Sequence, residues 1–326
     1  MKQATFASLN FDAKKWRTRL DVFLADMDKV VPWDALLALL EPAYPSGGRC
    51  GRPPMALSSI LRKHFMQQWY AVSDPAMEAA LYEIESMRRF AGLELNEDAI
   101  PHEKTILRFR RWLEQHGFAA KILAVVNAHL GEHQLLRAGT IVDATLIAAS
   151  PSTKNQAKTR DPEMHRTKKG NQWYFGMKAH IGADAESGLM HTVAATAANA
   201  SDVTEVDKLL HGKETCVYAD VGYTGAEKRV KPKHGRAWFI AVKRGEVKAI
   251  ADRELRDLHE QIEHLKTSVR AKVEHPFRVL KCRFGYRKVR YKGHWPRTLR
   301  RFILVALTNL WMARPRLLAT TGEVCP

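Results

Sequence analysis

Gly139-Thr-Ile-Val-Asp-Ala-Thr-Leu-Ile-Ala148 is where the chain changes period. Ahead of it, apolar residues recur every three to four positions; within it, β-branched and apolar side chains surround a single acid, Asp143, as in a strand. Two more strand-like runs follow, one from Gln172 to Ile181 and one from Leu189 to Ala197, with turn residues from Asp184 to Gly188 between them. Asn199, Ser201 and Asp202 supply caps for a helix through Val206, Leu209 and Leu210. A strand from Thr215 to Ala219 then leads into Asp220-Val-Gly-Tyr, followed by a helix near Thr224 to Lys231 and a strand from Ala237 to Val242. Leu255, Leu258, Ile262, Leu265, Val269 and Val273 mark a long helix. The order predicts an antiparallel meander followed by crossover units, and so a mixed α/β sheet with flanking helices.

Upstream, the pattern predicts an all-α region. Leu57, Ile60, Leu61, His64, Phe65 and Trp69 repeat at helical spacing, and Asp74-Pro75 starts a helix carrying Met77, Ala80, Leu81, Ile84 and Met87. A third helix places Ile106, Phe109 and Leu113 on one side and Lys104, Arg108 and Arg111 on another, a basic stripe suited to DNA as well as to plain solvation. We divide the chain into a helical DNA-binding or dimerising domain over 1–130 and a mixed-sheet domain over 131–326.

Charge narrows the class of partner. The chain has 52 Lys and Arg against 35 Asp and Glu, a formal net charge of +17 over 326 residues. Arg278, Lys281, Arg283, Arg287, Lys288, Arg290, Lys292, Arg297, Arg300 and Arg301 crowd the interval between Glu274 and Glu323, where no acid occurs. A polyanion, nucleic acid first, is the expected partner, with salt-sensitive binding. No membrane is expected: the longest apolar run, Phe302 to Met312, is short and flanked by Arg, and the opening Met1-Lys-Gln-Ala-Thr-Phe lacks the apolar stretch of a secretion signal. Cys50, Cys216, Cys282 and Cys325 are scattered, which suggests neither a zinc site nor a disulfide framework and favours a cytoplasmic, nucleoid-associated protein.

Three acids carry the chemistry. Asp143 and Asp220 sit in apolar strand-like runs where an ionised group is costly to bury alone, and Glu274 stands at the head of the basic tract. Arg270 precedes Glu274 by four and shares its helical face; Lys281 follows by seven and joins them if the helix runs through Pro276. Each acid has a plainer reading: a hydrogen-bonded strand residue, a strand end, a helix salt bridge. As a set they suit magnesium, a hard ion that takes a few carboxylate oxygens and leaves room for water and phosphate. Two Mg2+ ions, with Mn2+ able to substitute, would activate water and stabilise charge in phosphodiester cleavage. The polar stretch from Ser150 to Gly170 reads as a structureless loop whose Lys154, Lys158, Arg160, Arg166, Lys168 and Lys169 track a nucleic-acid strand. Phe277, Phe284, Tyr286, Tyr291 and Trp295 interleave with the basic tract; most should be packing residues, with one or two, or Trp173, stacking on an exposed base.

Several motifs together resemble a known family. Gly139-Thr-Ile-Val-Asp-Ala-Thr, the stretch from Arg160 to His180, Thr196-Ala-Ala-Asn-Ala-Ser-Asp-Val-Thr, Asp220-Val-Gly-Tyr-Thr-Gly and Arg270-Ala-Lys-Val-Glu-His-Pro-Phe-Arg-Val-Leu-Lys are similar to bacterial insertion-sequence transposases, most closely the fifth insertion-sequence family. The resemblance runs from about Pro45 to about Leu317. It implies a ribonuclease H-like fold and a metal-binding, catalytic triad of Asp143, Asp220 and Glu274. It further implies cleavage and strand transfer at terminal inverted repeats of double-stranded DNA, joining to target DNA, and a homodimer in the DNA complex. Arg270 and Lys281 match a signature that holds DNA near the cleaved end, while Thr267 stands where that signature has Tyr. Arg278, Lys168, Lys169, Arg108 and Arg111 complete the expected DNA contacts. A structure-selective nuclease and a transposase-derived DNA-binding protein without catalysis are the alternatives.

Overall fold

The computed structural model describes residues 16–45, 53–154, 160–230, 236–289 and 294–320, with the side chains of 294–299 left aside. Of the residues singled out above, Met1 to Phe6, Cys50, Lys158, Lys231, Arg290, Tyr291, Lys292, Glu323 and Cys325, and the side chains of Trp295 and Arg297, lie outside the described residues.

Among the described residues seven helices come first: α1 (Arg19–Val30), α2 (Trp33–Leu40), α3 (Leu57–Tyr70), α4 (Asp74–Glu83), α5 (Glu85–Phe90), α6 (Glu103–Gln115) and α7 (Phe118–Glu132). The apolar positions read as one face of α3 are all buried. The single helix expected over Asp74 to Met87 is two: Ile84 adopts an extended backbone, φ −107° and ψ 104°. Its break is satisfied locally, because Arg88 Nη1 donates to the carbonyls of Leu81 at 3.0 Å and Tyr82 at 2.8 Å. Carbonyls freed at a helix end need such partners.

Six strands follow, β1 (Gly139–Ala148), β2 (His165–Lys169), β3 (Gln172–Asp184), β4 (Met190–Ala197), β5 (Cys216–Ala219) and β6 (Ala237–Ile240), with short helices α8 (Val206–Leu209), α9 (Ala226–Arg229) and α10 (Arg244–Lys248) among and after them. The long helix α11 (Arg253–Arg270), α12 (Glu274–Arg278) and the C-terminal α13 (His294–Thr320) complete the chain. β1 pairs antiparallel with β3 and parallel with β5, β3 pairs antiparallel with β4, and β5 pairs parallel with β6. This is the mixed α/β sheet with flanking helices, preceded by a helical region, that the sequence led us to expect.

The expected structureless loop contains β2. His165 to Lys169 lacks any apolar residue, so nothing in its own pattern marks a strand; its partner, Gln172 to Gly176, supplies the aromatic side chains. Gly170, at φ 61°, turns the hairpin. Where this hairpin joins the main sheet, β3 passes so close to β1 that a Cβ on Gly176 would lie 2.1 Å from the Ile147 carbonyl oxygen.

β1 is buried on both faces. Ile141 and Ile147 join a core shared with α1–α7 and α13, while Val142 packs with Val206, Leu209, Val217, Ala219, Tyr223, Ala226 and Val230 beneath the other face. α13 runs through the larger core, with Ile303, Leu304, Leu307 and Leu310 fully buried. Its 300–320 stretch is long and apolar enough to cross a bilayer, longer than the apolar run from Phe302 to Met312 read in the sequence. Here it is a core helix. Asn309 on α13 fixes the start of β4 by accepting from Met190 N at 2.9 Å and donating to Met190 O at 2.6 Å.

Candidate active site

Asp143 sits at mid-strand in β1, two residues before Thr145 on the same face. Asp220 follows the last residue of β5 and begins a 3₁₀ turn over Val221–Tyr223. The strand stops at Ala219, as its sequence indicated, and the Asp220 side chain just beyond it is 54% exposed, so it does not bear the burial cost that an apolar run suggests. Parallel pairing of β1 with β5 aligns Val142 with Ala219, so Asp143 and Asp220 emerge beside each other.

Glu274 reaches the same place from the helical side. α11 ends at Arg270, a 3₁₀ turn covers Ala271–Val273, and α12 starts at Glu274. Pro276 thus falls in the first turn of a new helix, where its missing N–H costs nothing, and the helix restarts instead of kinking. A π-helical turn over Val279–Arg283 follows, and from it Lys281 Nζ donates to Thr145 Oγ1 at 2.6 Å. Thr145 was not singled out in the sequence, though its period-two spacing from Asp143 marks it as a neighbour on the strand face.

The electrostatics show that these groups converge. Burial raises the Asp143 carboxyl to about 6; its bond from Ala144 N, at 2.7 Å, and Arg270 pull it down, while Asp220 and Glu274 push it up. Burial lowers the Lys281 ammonium, with Lys169 adding to the effect and Glu274 opposing it. The residues Asp143, Asp220, Glu274, Arg270, Lys281 and Lys169 therefore share one neighbourhood. Burial also raises the Tyr223 phenol, helped by Asp202, Asp143 and Asp220; its hydroxyl is buried without a hydrogen-bond partner. Behind it, Asp202 accepts from Lys178 Nζ at 2.9 Å.

The acids do not stand ready to grip one ion. Among the described residues, no three His, Cys, Asp or Glu side chains are grouped closely enough to hold a metal. A guanidinium takes part of that place: Arg270 Nη2 lies 2.9 Å from Asp220 Oδ1 and also acts on Asp143. The expected helix salt bridge between Arg270 and Glu274 is thus replaced by one to the second acid. The donor set still suits a hard divalent ion, since all three acids offer carboxylate oxygens.

The basic residues divide. Arg278 on α12 and Lys168 and Lys169 on the hairpin are exposed, Lys169 within electrostatic reach of Lys281, and Trp173, 68% exposed, pairs with Lys168 across the hairpin. Arg108 and Arg111 are exposed on α6; Arg108 lines a cleft of about 980 Å³ whose walls, from Tyr44 to Trp112, are all in the helical region. The structure does not bring that cleft to the acids. The C-terminal basic tract is not one continuous surface: Arg300 and Arg301 are buried, and Arg283 lies over the Phe23 ring at 5.1 Å. Phe277, Phe284 and Tyr286 are buried packing residues.

A family model described as a transposase DDE domain matches residues 134–310, and a second, described as a transposase domain, matches 11–112. Among solved structures, the cryo-EM structure of a piggyBac transposase synaptic complex with hairpin DNA is similar at 13% identity and a TM-score of 0.45, over 92% of this chain and 74% of that one. The DDE-domain match spans more than half of the chain and contains every acid of the cluster, so the chain belongs to the DDE-domain transposases.

Proposed function

We propose that this transposase binds the terminal inverted repeats of its element, hydrolyses the DNA at the element's end, and joins the freed 3′ end to target DNA. The observation that carries the reading is the electrostatic coupling of Asp143, Asp220, Glu274 and Arg270 at one spot. Asp143, Asp220 and Glu274 would hold the divalent ions, Mg2+ with Mn2+ as a substitute. When bound, such ions supply an activated water and charge stabilisation at phosphorus.

The chain's own residues do the rest. Arg270 pairs with Asp220 in the free protein, and its guanidinium holds a DNA phosphate beside the cut. Lys281, held by Thr145 near Glu274, and exposed Arg278 position the end without reading sequence. The hairpin of β2 and β3 brings Lys168 and Lys169 to the same DNA, and Arg108 and Arg111 contact it further along, on the helical region. In the first step water adds to phosphorus and the 3′ oxygen leaves with a proton as a hydroxyl. In the second that hydroxyl adds to a target phosphate and displaces the target's own 3′ oxygen. Two ends are joined together, so two copies act in one complex.

The test is incubation of the purified full chain with duplex ends, a supercoiled plasmid and Mg2+. Joined product is expected; cleavage without joining would leave a nuclease on this fold, and binding without either would leave a DNA-binding derivative. In the same assay Lys168→Ala with Lys169→Ala is expected to weaken DNA binding about tenfold at low salt and to flatten the logarithmic salt dependence by roughly two units. An unchanged slope would remove the hairpin from the DNA path.

A further inference from the structure

Helix α11 is turned unusually on the fold. None of its 18 residues is buried. Apart from Val269, half-buried against the core at its C-terminal end, what ties it to the fold is polar: Glu263 accepts from Val242 N at 3.1 Å, Lys266 Nζ donates to Ile240 O at 3.1 Å, and Arg270 pairs with Asp220 at 2.9 Å. Its apolar stripe faces solvent, with Leu255 47%, Leu258 52%, Ile262 39% and Leu265 66% exposed. One exposed leucine needs no explanation, but four in line on one helix do.

The spacing says what kind of surface this is. Leu255 and Ile262 fall at the a positions of a heptad, and Leu258 and Leu265 at the d positions; Val269, at the next a position, is half-buried against the chain's own core and closes the seam at that end. A stripe confined to a and d is the seam of a coiled coil, narrower than the face a helix presents to a globular core. Such a seam is self-complementary, and copies related by a two-fold axis meet through one patch. Charge permits it here. The chain as a whole carries +17, so copies repel, yet α11 holds four Lys or Arg and four Asp or Glu. Beside the seam, Glu254, His259, Gln261, Lys266 and Ser268 form no block of like charge.

We propose that the α11 stripe pairs with α11 of a second copy of this chain. The inference deepens the two-copy reading above by naming its contact, and because α11 ends in Arg270, the seam adjoins the acid cluster in each copy. The stripe offers a few hundred Å² per copy, short of the roughly 800 Å² per partner buried in a standing dimer. The free chain therefore associates weakly, at about 10 to 50 μM, and DNA completes the assembly.

Sedimentation of the full chain tests this without DNA or metal, so a failed cleavage assay and a failed pairing stay separate results. Wild type at about 100 μM and 0.5 M salt is expected to run mostly as dimer. Ile262→Glu with Leu265→Glu is expected to run as monomer throughout, with its melting temperature within about 2 °C of wild type because both side chains already face water. Wild type that stays monomeric at 100 μM, or a variant that associates like wild type while melting normally, overturns the proposal. A variant that fails to fold calls for Leu258→Lys, at the exposed middle of the seam, which must then show the same loss of dimer.

Discussion

Asp143→Asn is expected to abolish cleavage and at the same time to raise the melting temperature of the metal-free protein at pH 7. The two effects have one cause. Burial lifts this carboxyl from 3.8 to about 6, so at neutral pH the folded chain holds an ionised group in a place that disfavours it. A folded-state value above the unfolded one means stability is fully present below about pH 3.8 and is lost as pH rises through about 6. The amide keeps the shape, accepts from Ala144 N and carries no charge. A shift of this size corresponds to at most about 3 kcal/mol, so a gain of roughly 2 to 6 °C is expected at pH 7 and none near pH 3.5. Divalent ions should raise the melting temperature of wild type and not of the variant. Cleavage should fall by at least about 10³-fold, since ion binding contributes several kcal/mol to the transition state. Calorimetry from pH 3.5 to 7.5 with and without Mg2+, beside the cleavage assay, settles the matter. A variant that melts lower at pH 7 and still cuts would make Asp143 a structural residue.

The largest loss of stability is expected from Asp74→Ala. Asp74 opens α4 after the Ser73 cap, and it also receives both arms of the Arg110 guanidinium, Nη1 at 2.8 Å and Nη2 at 2.9 Å, and the Gln67 amide at 2.8 Å. The two side chains are only 16% and 9% exposed. Truncating the acid removes the main counter-charge of a buried guanidinium, a change that costs about 3 to 5 kcal/mol. Urea unfolding should show that loss with the slope unchanged. Removing both partners with Asp74→Leu and Arg110→Met should recover much of it, because the cost lies in stranding one charge. If Asp74→Ala costs less than 1 kcal/mol, water already serves Arg110.

Much of this molecule was legible before folding. The β-branched and apolar residues around Asp143 marked a strand there, and the meander followed by alternating strand and helix implied a mixed sheet, which the structure shows. Four-residue spacing put Arg270 and Glu274 near each other, but could not show that a 3₁₀ turn between them sends Arg270 to Asp220. The Arg110 pairing was hidden because its acid lies 36 residues away on another helix. β2 was hidden because a strand built of His, Arg, Thr and Lys has no apolar rhythm, and its identity rests on its neighbour. The long apolar helix was recognised as α11, yet periodicity alone could not say whether its stripe faces the core or solvent.

The glycine at the root of the hairpin fixes how rigidly β2 is carried by the sheet. β3 is a single strand of 13 residues, paired with β2 at one end and with the Asp143 strand over the rest, and Gly176 lets the two ladders meet without a gap. The hairpin is therefore an extension of the strand that pairs with Asp143, held at about 3.3 Å per residue from it and unable to swing at its root. Even one methyl group at position 176 would displace the carbonyl of Ile147, and with it the register between the two ladders.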